Sequence, residues 1–147
     1  MMTTAIDSWS YQGKPFNEEL TKNRFGFVYQ ITNLNTGRKY IGKKRFNFIS
    51  HKRLKSKKRR IKVIKKSDWL DYYGSSDELV QEVESGKYFY TREILKLCNS
   101  SGDCSYWELY YQMMNHVLLR PDDYYNSYVG ARIHRKHILG KTDNEHS

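Results

Sequence analysis

Two tyrosines and one glutamate are the residues of this chain whose types and positions best suit chemistry. Tyr29 and Tyr40 lie 11 positions apart, and Glu108 lies in the stretch SYWELYYQ. A single carboxylate is enough to hold a hard cation such as Mg²⁺, which keeps several of its waters. A free tyrosine titrates near pH 10, so it needs a nearby cation before it can act as a base. Taken singly, each tyrosine is more often a packing residue, and the elements around it decide its role.

A predicted β-hairpin positions the two tyrosines. The stretches at residues 25–32 (FGFVYQIT) and 38–43 (RKYIGK) are rich in aromatic and β-branched residues, and NLNTG between them is typical of a turn. A third strand is predicted at residues 88–98, although 92–97 could instead continue as helix. We therefore expect an α+β fold with a small central three-stranded sheet, antiparallel or mixed, flanked by helices.

A predicted helix positions Glu108. Apolar and aromatic residues recur there at helical spacing, namely Trp107, Tyr110, Tyr111, Met114 and Leu118. Ser105 or Asp103 can cap this helix, and Pro121 ends it. Two shorter helices are predicted upstream, one from Ser67 to Gly74 and one in SSDELVQEVESG.

The 147 residues are enough for one domain that buries its own core. Residues 1–24 are predicted to be an irregular lead-in with a short helix near 17–22, residues 25–130 the domain itself, and residues 131–147 a basic and then polar tail. No stretch approaches the roughly 20 apolar residues of a membrane-spanning helix. We expect a cytoplasmic protein with no membrane partner, in which Cys98 and Cys104 are free thiols.

The positive charge of the chain is concentrated in one segment. Residues 43–66 hold 13 of the 26 Lys and Arg residues and no Asp or Glu, so the remainder carries 13 basic against 16 acidic residues. Apolar residues interleave this basic arm and can anchor it to the folded body. Such an arm predicts binding to the phosphates of a polyanion. This binding should depend little on nucleic-acid sequence and should weaken steeply as salt is added. Its candidate contacts are Lys44, Arg45, His51, Lys52, Lys55, Lys57, Lys58, Arg59, Arg60 and Lys62.

The hairpin resembles that of the GIY-YIG nuclease family. Phe27-Val28-Tyr29 stands in the place of the first triplet, with Phe27 instead of glycine, and Tyr40-Ile41-Gly42 matches the second in full. The family also has a glutamate on a later helix and an asparagine beyond it, where Glu108 and Asn126 stand here. The resemblance covers about residues 25–130. It implies a DNA endonuclease of the small phage-type homing or restriction-like kind, in the host cytoplasm if phage-encoded.

The resemblance also implies roles for particular residues. Glu108 would hold Mg²⁺ or Mn²⁺, Tyr29 would be the general base, and Tyr40 would orient the water or the phosphate. Lys43 matches a lysine that some relatives use, and Asn126 would position its neighbours. Many relatives have an arginine about ten residues after the second tyrosine, where this chain has Ser50; Arg53 is the preferred substitute and Arg45 the alternative. His51 is a further neighbour of that position.

Two other classes of function stay open on the sequence. One is a nucleic-acid-binding module that keeps the scaffold and the basic arm but does not cleave, which Phe27 and the displaced arginine favour. The other is an RNA-associated assembly protein whose basic arm enters RNA. A nuclease with one active site would need a homodimer or two successive nicks to cut both strands.

Overall fold

The structure is a computed structural model that describes residues 8–53 and 60–130. Lys55, Lys57, Lys58 and Arg59, which were predicted to contact nucleic acid, lie outside the described residues, as does the predicted tail at 131–147. The strands are β1 (Trp9–Tyr11), β2 (Lys14–Pro15), β3 (Gly26–Asn33), β4 (Lys39–Arg45), β5 (Asn47–Arg53), β6 (Arg60–Lys66) and β7 (Tyr90–Cys98). The α-helices are α1 (Asp77–Ser85) and α2 (Ser101–Met114), and short 3₁₀ helices occupy Glu18–Thr21, Trp69–Asp71 and Val117–Leu119.

Five strands form one mixed sheet in the order β2-β1-β7-β3-β4. β3 is antiparallel to both β4 and β7, and β1 runs parallel to β7. The predicted hairpin and third strand are confirmed, and with two helices the α+β class is confirmed as well. Residues 92–97 lie in β7, so the helical alternative for this segment is wrong.

The N-terminal segment is more regular than predicted, because β1 and β2 extend the sheet. Trp9 is buried, its indole ring lies 4.9 Å from that of Phe27, and its N–H donates to the Trp69 carbonyl at 2.8 Å. Strands of three and two residues are too short to show an alternating pattern in the sequence. The predicted short helix is found as Glu18–Thr21, capped by the Asn17 side chain.

The sheet has a packed cluster on each face. On β3, Phe27, Tyr29 and Ile31 enter one cluster, together with Trp9, Phe46, Trp69 and Leu79. Val28 points to the other face, where it packs with Ile41, Cys98 and Cys104 under α2. This alternation is that expected of a strand buried on both sides.

Both α-helices begin at serine caps. Ser76 accepts a hydrogen bond from the Leu79 N–H at the start of α1, and Gly86 ends that helix in the left-handed region. α2 begins at Ser101 with Ser100 as its cap, earlier than predicted from Asp103 or Ser105. None of the helices in the described ranges is long and apolar enough to cross a membrane.

The predicted helix from Ser67 to Gly74 is only the 3₁₀ turn Trp69–Asp71. The Ser67 hydroxyl oxygen accepts from the Trp69 N–H at 3.2 Å, but the N-cap residue is Asp68, whose side chain makes no capping hydrogen bond, so the predicted Ser67 cap is wrong. The chain is already extended at Tyr72, because the buried Arg92 side chain on β7 donates to the carbonyls of Leu70 and Tyr72 at 3.0 and 2.9 Å. A tertiary contact of this kind overrides a local helical preference.

The basic arm forms an antiparallel two-stranded ribbon, β5 paired with β6, outside the main sheet. Every residue of β5 and β6 is at least partly exposed, whereas residues 43–45 at the start of the arm belong to β4 of the main sheet. At its base Lys66 pairs with Glu18 at 2.8 Å, and Phe46 just before β5 is buried in the core.

Candidate active site

A cleft of about 640 Å³ lies at the outer edge of β4, and it brings together five of the six residues predicted to be catalytic. These are Tyr29, Tyr40, Lys43, Glu108 and Asn126. They come from β3, β4, α2 and the segment after the Val117–Leu119 turn. Tyr29 and Tyr40 lie on one face of the sheet, and α2, which carries Glu108, covers the other face. The side chains therefore enter the cleft from both faces of the sheet, one on each side of β4.

Tyr29 reaches the cleft across a glycine. Tyr29 is paired with Gly42 in the β3–β4 register, and a Cβ at Gly42 would lie 2.5 Å from the Tyr29 hydroxyl oxygen. The Tyr29 hydroxyl shares a hydrogen bond with Tyr72. Burial raises the pKa of Tyr29 well above 10, and the negative charges of Tyr40, Tyr72 and Glu108 would raise it further. The free protein therefore keeps this hydroxyl protonated.

Tyr40 stands beside Tyr29, with 6.2 Å between the ring centroids. Its hydroxyl lies 2.8 Å from the Ser75 hydroxyl oxygen, and its ring packs on Gly74, where an added Cβ would come within 3.1 Å. Gly74 also has φ of +92°, which disfavours any other residue there. Burial raises the pKa of Tyr40, and the hydrogen bond to Ser75 partly opposes this rise.

Glu108 and Lys43 form the charged part of the site. Glu108 lies in the second turn of α2, where burial raises the pKa of its carboxyl group and the nearby Lys43 cation opposes the rise. Lys43 is held in place by Ser105 on the same helix, to whose hydroxyl oxygen its ammonium group donates at 2.6 Å. A cation in the cleft would stabilise the ionised form of this partly buried carboxylate.

Asn126 and Gln112 both bind the backbone of Ile41, the residue between Tyr40 and Gly42. The Asn126 amide donates to the Ile41 carbonyl at 2.8 Å and accepts from the Ile41 N–H at 3.1 Å. Gln112, one turn after Glu108 on α2, donates to the same carbonyl at 3.0 Å. Both side chains are buried. They tie the β4 edge to α2 and to the segment around 126, and so set the distance between Tyr40 and Glu108.

The segment that carries Asn126 is anchored to α1. Tyr125 donates its hydroxyl to Glu82 on that helix at 2.6 Å, and Asn33 donates to the same carboxylate at 3.1 Å. The Arg38 guanidinium covers the Tyr125 ring at 4.4 Å. Burial and the hydrogen bond to Glu82 raise the pKa of Tyr125 to about 12.

Arg92 holds the backbone segment that carries Tyr72, the hydrogen-bond partner of Tyr29. Its guanidinium lies between the rings of Trp9 and Tyr73, at 4.7 and 4.3 Å, while it donates to the carbonyls of Leu70 and Tyr72. Because the Tyr72 hydroxyl bonds to Tyr29, Arg92 fixes the backbone that presents this partner.

The structure does not bring Arg53 to the cleft, because it lies at the outer end of β5, exposed on the ribbon. The alternative, Arg45, lies over the Phe25 ring at 4.8 Å and lines a second pocket beside Lys43, on the face covered by α2. Among the residues of 8–53 and 60–130 that line the cleft there is no arginine, and Lys43 is the basic side chain there.

The predicted nucleic-acid contacts divide into two groups in the described chain. His51, Lys52, Arg60 and Lys62 are exposed on the ribbon. Lys44 belongs instead to the body, where it pairs with Asp68 at 2.6 Å and lies 4.0 Å from the centre of the Tyr72 ring. Lys44 is thus less free for phosphate than the sequence suggested.

The described residues contain no cluster of three or more His, Cys, Asp and Glu side chains suited to a metal ion. The cleft does offer Glu108, a single oxygen ligand in partly buried surroundings, beside open space lined by Ser127 and the backbone near it. This donor set fits a hard divalent cation that keeps most of its waters, and it does not fit zinc.

Comparison with known proteins identifies the family of the chain. The family model described as "Putative endonuclease segE, GIY-YIG domain" matches residues 9–129, most of the chain. The chain therefore belongs to the GIY-YIG endonuclease family, and the fold is that of a nuclease domain with DNA as its substrate class. No curated protein and no solved structure matches the chain.

Sequence reasoning missed three residues of the site. Gln112 was hidden in an aromatic helix, although a glutamine one turn after a candidate glutamate faces the same way and was a usable signal. Tyr72 lies in the segment predicted to be helical from Ser67 to Gly74, but the 3₁₀ turn there ends at Asp71. Ser75 contacts Tyr40 from 35 positions away, and nothing in the sequence indicates that contact.

Proposed function

We propose that this protein is a metal-dependent endonuclease that hydrolyses DNA phosphodiester bonds in the cleft at the β4 edge. The observation that carries the proposal is the meeting of Tyr29, Tyr40, Lys43 and Glu108, which are far apart in the chain, around one opening. The family match supports the same class of activity.

Glu108 is the residue we propose as the ligand of Mg²⁺ or Mn²⁺. When bound there, the cation would supply positive charge to the scissile phosphate and its departing oxygen. Lys43 stands next to Glu108 and is held by Ser105, so its ammonium group is placed to contact the same phosphate. Among the described residues of the cleft, Lys43 takes the part that the resemblance gave to an arginine.

Tyr29 is proposed to accept the proton of the attacking water, and Tyr40 to orient that water or the phosphate. The raised pKa of Tyr29 in the free protein means that the hydroxyl becomes a base only with positive charge beside it. Tyr72 accepts or donates a hydrogen bond at the same oxygen and so fixes its direction. Asn126 and Gln112 act by position, since their amides are occupied by the Ile41 backbone.

We further propose a phage-type homing or restriction-like role in the host cytoplasm. The support is that one domain combines the cleft with a basic ribbon able to bind DNA. One cleft per chain cuts one strand, so a double-strand break would need a homodimer or two successive nicks.

A second candidate function is a DNA-binding module that does not cleave. The observation in its favour is the lack of an arginine among the described residues that line the cleft. The presence of Phe27 in place of the first glycine does not favour a non-cleaving module. Phe27 is fully buried in the core, and β3 pairs with β4 in unbroken register from Gly26 to Thr32.

Conversion of supercoiled plasmid to nicked or linear forms tests the proposal. The wild type should nick plasmid in Mg²⁺ and not in excess chelator, and Glu108→Gln should not nick in either. Glu84→Gln, at an exposed glutamate of α1, is the matched control and should cut like the wild type. Salt-sensitive binding by all three proteins without any product would favour the non-cleaving module.

A further inference from the structure

The pairing of β5 with β6 places the side chains of the ribbon on two faces that differ in charge. Residues directly opposite each other share a face, and the register pairs Arg53 with Arg60 and His51 with Lys62. Alternation along each strand adds the Ile49–Ile64 pair to this side. We call these six residues the arginine face.

The opposite face of the ribbon is less charged. It carries Phe48 opposite Lys65, Ser50 opposite Val63, and Lys52 opposite Ile61. Phe48 also lies 5.3 Å from the Lys44 ammonium group of the body. The two lysines of this face are separated by apolar and hydroxyl side chains.

The arginine face is unfavourable in the isolated protein. Like charges placed directly opposite each other on a sheet destabilise the pair, and Arg53 faces Arg60 with both side chains exposed. No Asp or Glu occurs within residues 43–66, and no ion pair of the described chain involves Arg53, Arg60 or Lys62. A polyanion on this face would remove the repulsion.

We propose that the β5–β6 ribbon lies in the major groove of duplex DNA with its arginine face toward the bases and phosphates. This inference rests on the proposed function for the identity of the partner as DNA. The major groove admits a two-stranded β-ribbon, whereas the narrow major groove of A-form RNA does not. Arg53 and Arg60 can each pair with the edge of a guanine, and Ile49 and Ile64 can contact thymine methyl groups.

The ribbon then has two functions in one element. Its charge supplies affinity that does not depend on sequence, as the composition already indicated. Its arginine face adds contacts that depend on sequence, so target choice resides in β5 and β6. Lys52 was a candidate phosphate contact on the sequence alone, but the register places it with Lys65 on the face opposite Arg53 and Arg60. On this proposal both lysines face away from the groove and contribute little.

The test compares two double variants that each remove two cations, one from each strand of the ribbon. Arg53→Gln with Arg60→Gln alters the arginine face, and Lys52→Gln with Lys65→Gln alters the opposite face. Both are made in the Glu108→Gln protein, so that DNA is bound and not cut, and their folding is checked by thermal unfolding. The first should weaken binding to a cognate or random duplex at least about tenfold. It should also reduce the preference for one duplex sequence over another, and it should lower the slope of log K against log salt by less than the value of about 2 expected for two lost phosphate contacts.

The second variant should change affinity less than about threefold and leave the slope nearly unchanged, since its lysines make no phosphate contact. Arg53→Lys with Arg60→Lys should keep the slope and lose sequence preference. Methylation of guanine N7, in the major groove, should interfere with binding, and methylation of adenine N3, in the minor groove, should not. Duplex RNA of the same sequence should bind more weakly than DNA.

Equal losses of DNA affinity in the two glutamine double variants would overturn the proposal. The arm would then bind DNA through its overall positive charge, with neither face preferred. Interference at adenine N3 alone would also overturn it. Either result leaves the nuclease proposal intact, because the parent protein would still bind DNA. Absence of DNA binding by the Glu108→Gln parent at low salt would instead defeat the proposed function itself.

Discussion

The hydroxyl group of Tyr29 lies where a side chain at Gly42 would stand. An ideal Cβ at Gly42 would come 2.5 Å from the Tyr29 hydroxyl oxygen and 2.8 Å from the ring carbon that bears it. The two residues are opposite each other in the β3–β4 register. The Tyr29 hydroxyl can reach the cleft because Gly42, the glycine of the YIG triplet, has no side chain.

Gly42→Ala should therefore displace the Tyr29 hydroxyl. We expect a loss of about 1–3 kcal/mol in the free energy of unfolding from overpacking. Cleavage should fall about 100-fold, since a displacement of about 1 Å is enough for that. Urea unfolding and single-turnover cleavage measure the two effects. Glu84→Ala, at an exposed position of α1 that does not line the cleft, is the control and should change neither quantity.

Asn126→Asp should damage the site although it preserves the shape of the side chain. A carboxylate still accepts from the Ile41 N–H, but it cannot donate to the Ile41 carbonyl, so two acceptors face each other. We expect a loss of about 1–3 kcal/mol in stability, a lower kcat and nearly unchanged DNA affinity. Asn99→Asp adds the same charge at an exposed position and should change none of these. An active Asn126→Asp enzyme would contradict the positioning role.

Arg92→Gln tests whether this buried arginine acts on the site through Tyr72. Loss of its hydrogen bonds to two carbonyls should cost about 2–3 kcal/mol of stability. It should also slow cleavage at temperatures where the variant remains folded. Tyr72→Phe should slow cleavage with a smaller loss of stability. In a double-mutant cycle the effect of Arg92→Gln on kcat should largely disappear in the Tyr72→Phe background, and simple additivity would contradict the account.

The stability of the fold should fall in strong alkali partly through Tyr125. Burial and the hydrogen bond to Glu82 raise the folded pKa of Tyr125 to about 12, above its ordinary 10.0. The unfolded chain then loses this proton first, so the contribution of Tyr125 is intact below pH 10 and disappears as pH rises from 10 to 12. Tyr125→Phe should be less stable at pH 7 and lose stability less steeply above pH 10. Urea unfolding at several pH values measures this, with Tyr110→Phe as the control.

The sequence predicted the elements whose patterns are local. The strands that carry Tyr29 and Tyr40 are rich in aromatic and β-branched residues and were found within two residues of their bounds. α2 was found by its helical spacing around Glu108, but it ends at Met114, well before the predicted end at Pro121, and Leu118 lies in a separate 3₁₀ turn. The family resemblance then selected five residues that the fold does bring to one cleft. Their chemical roles remain predictions.

What the sequence could not predict depends on contacts between distant segments. β1 is three residues long and exists because Trp9 packs on Phe27 and its backbone pairs with β7. The helix expected after Ser67 is cut short by Arg92, which comes from another strand. Arg53 was chosen by its distance from Tyr40 along the chain, but the segment between them continues into β5 and carries Arg53 out along the ribbon.

The central claim is that Glu108 holds the divalent cation required for hydrolysis in the β4-edge cleft. Its most direct test is the single-turnover cleavage rate of a preformed protein–DNA complex as Mg²⁺ is titrated, for the wild type and for Glu108→Gln. The account predicts a saturable rise in rate for the wild type and no cleavage by Glu108→Gln at any concentration, with DNA affinities within about threefold of each other. Wild-type cleavage in excess chelator, or cleavage by Glu108→Gln at the wild-type rate in high Mg²⁺, would contradict it.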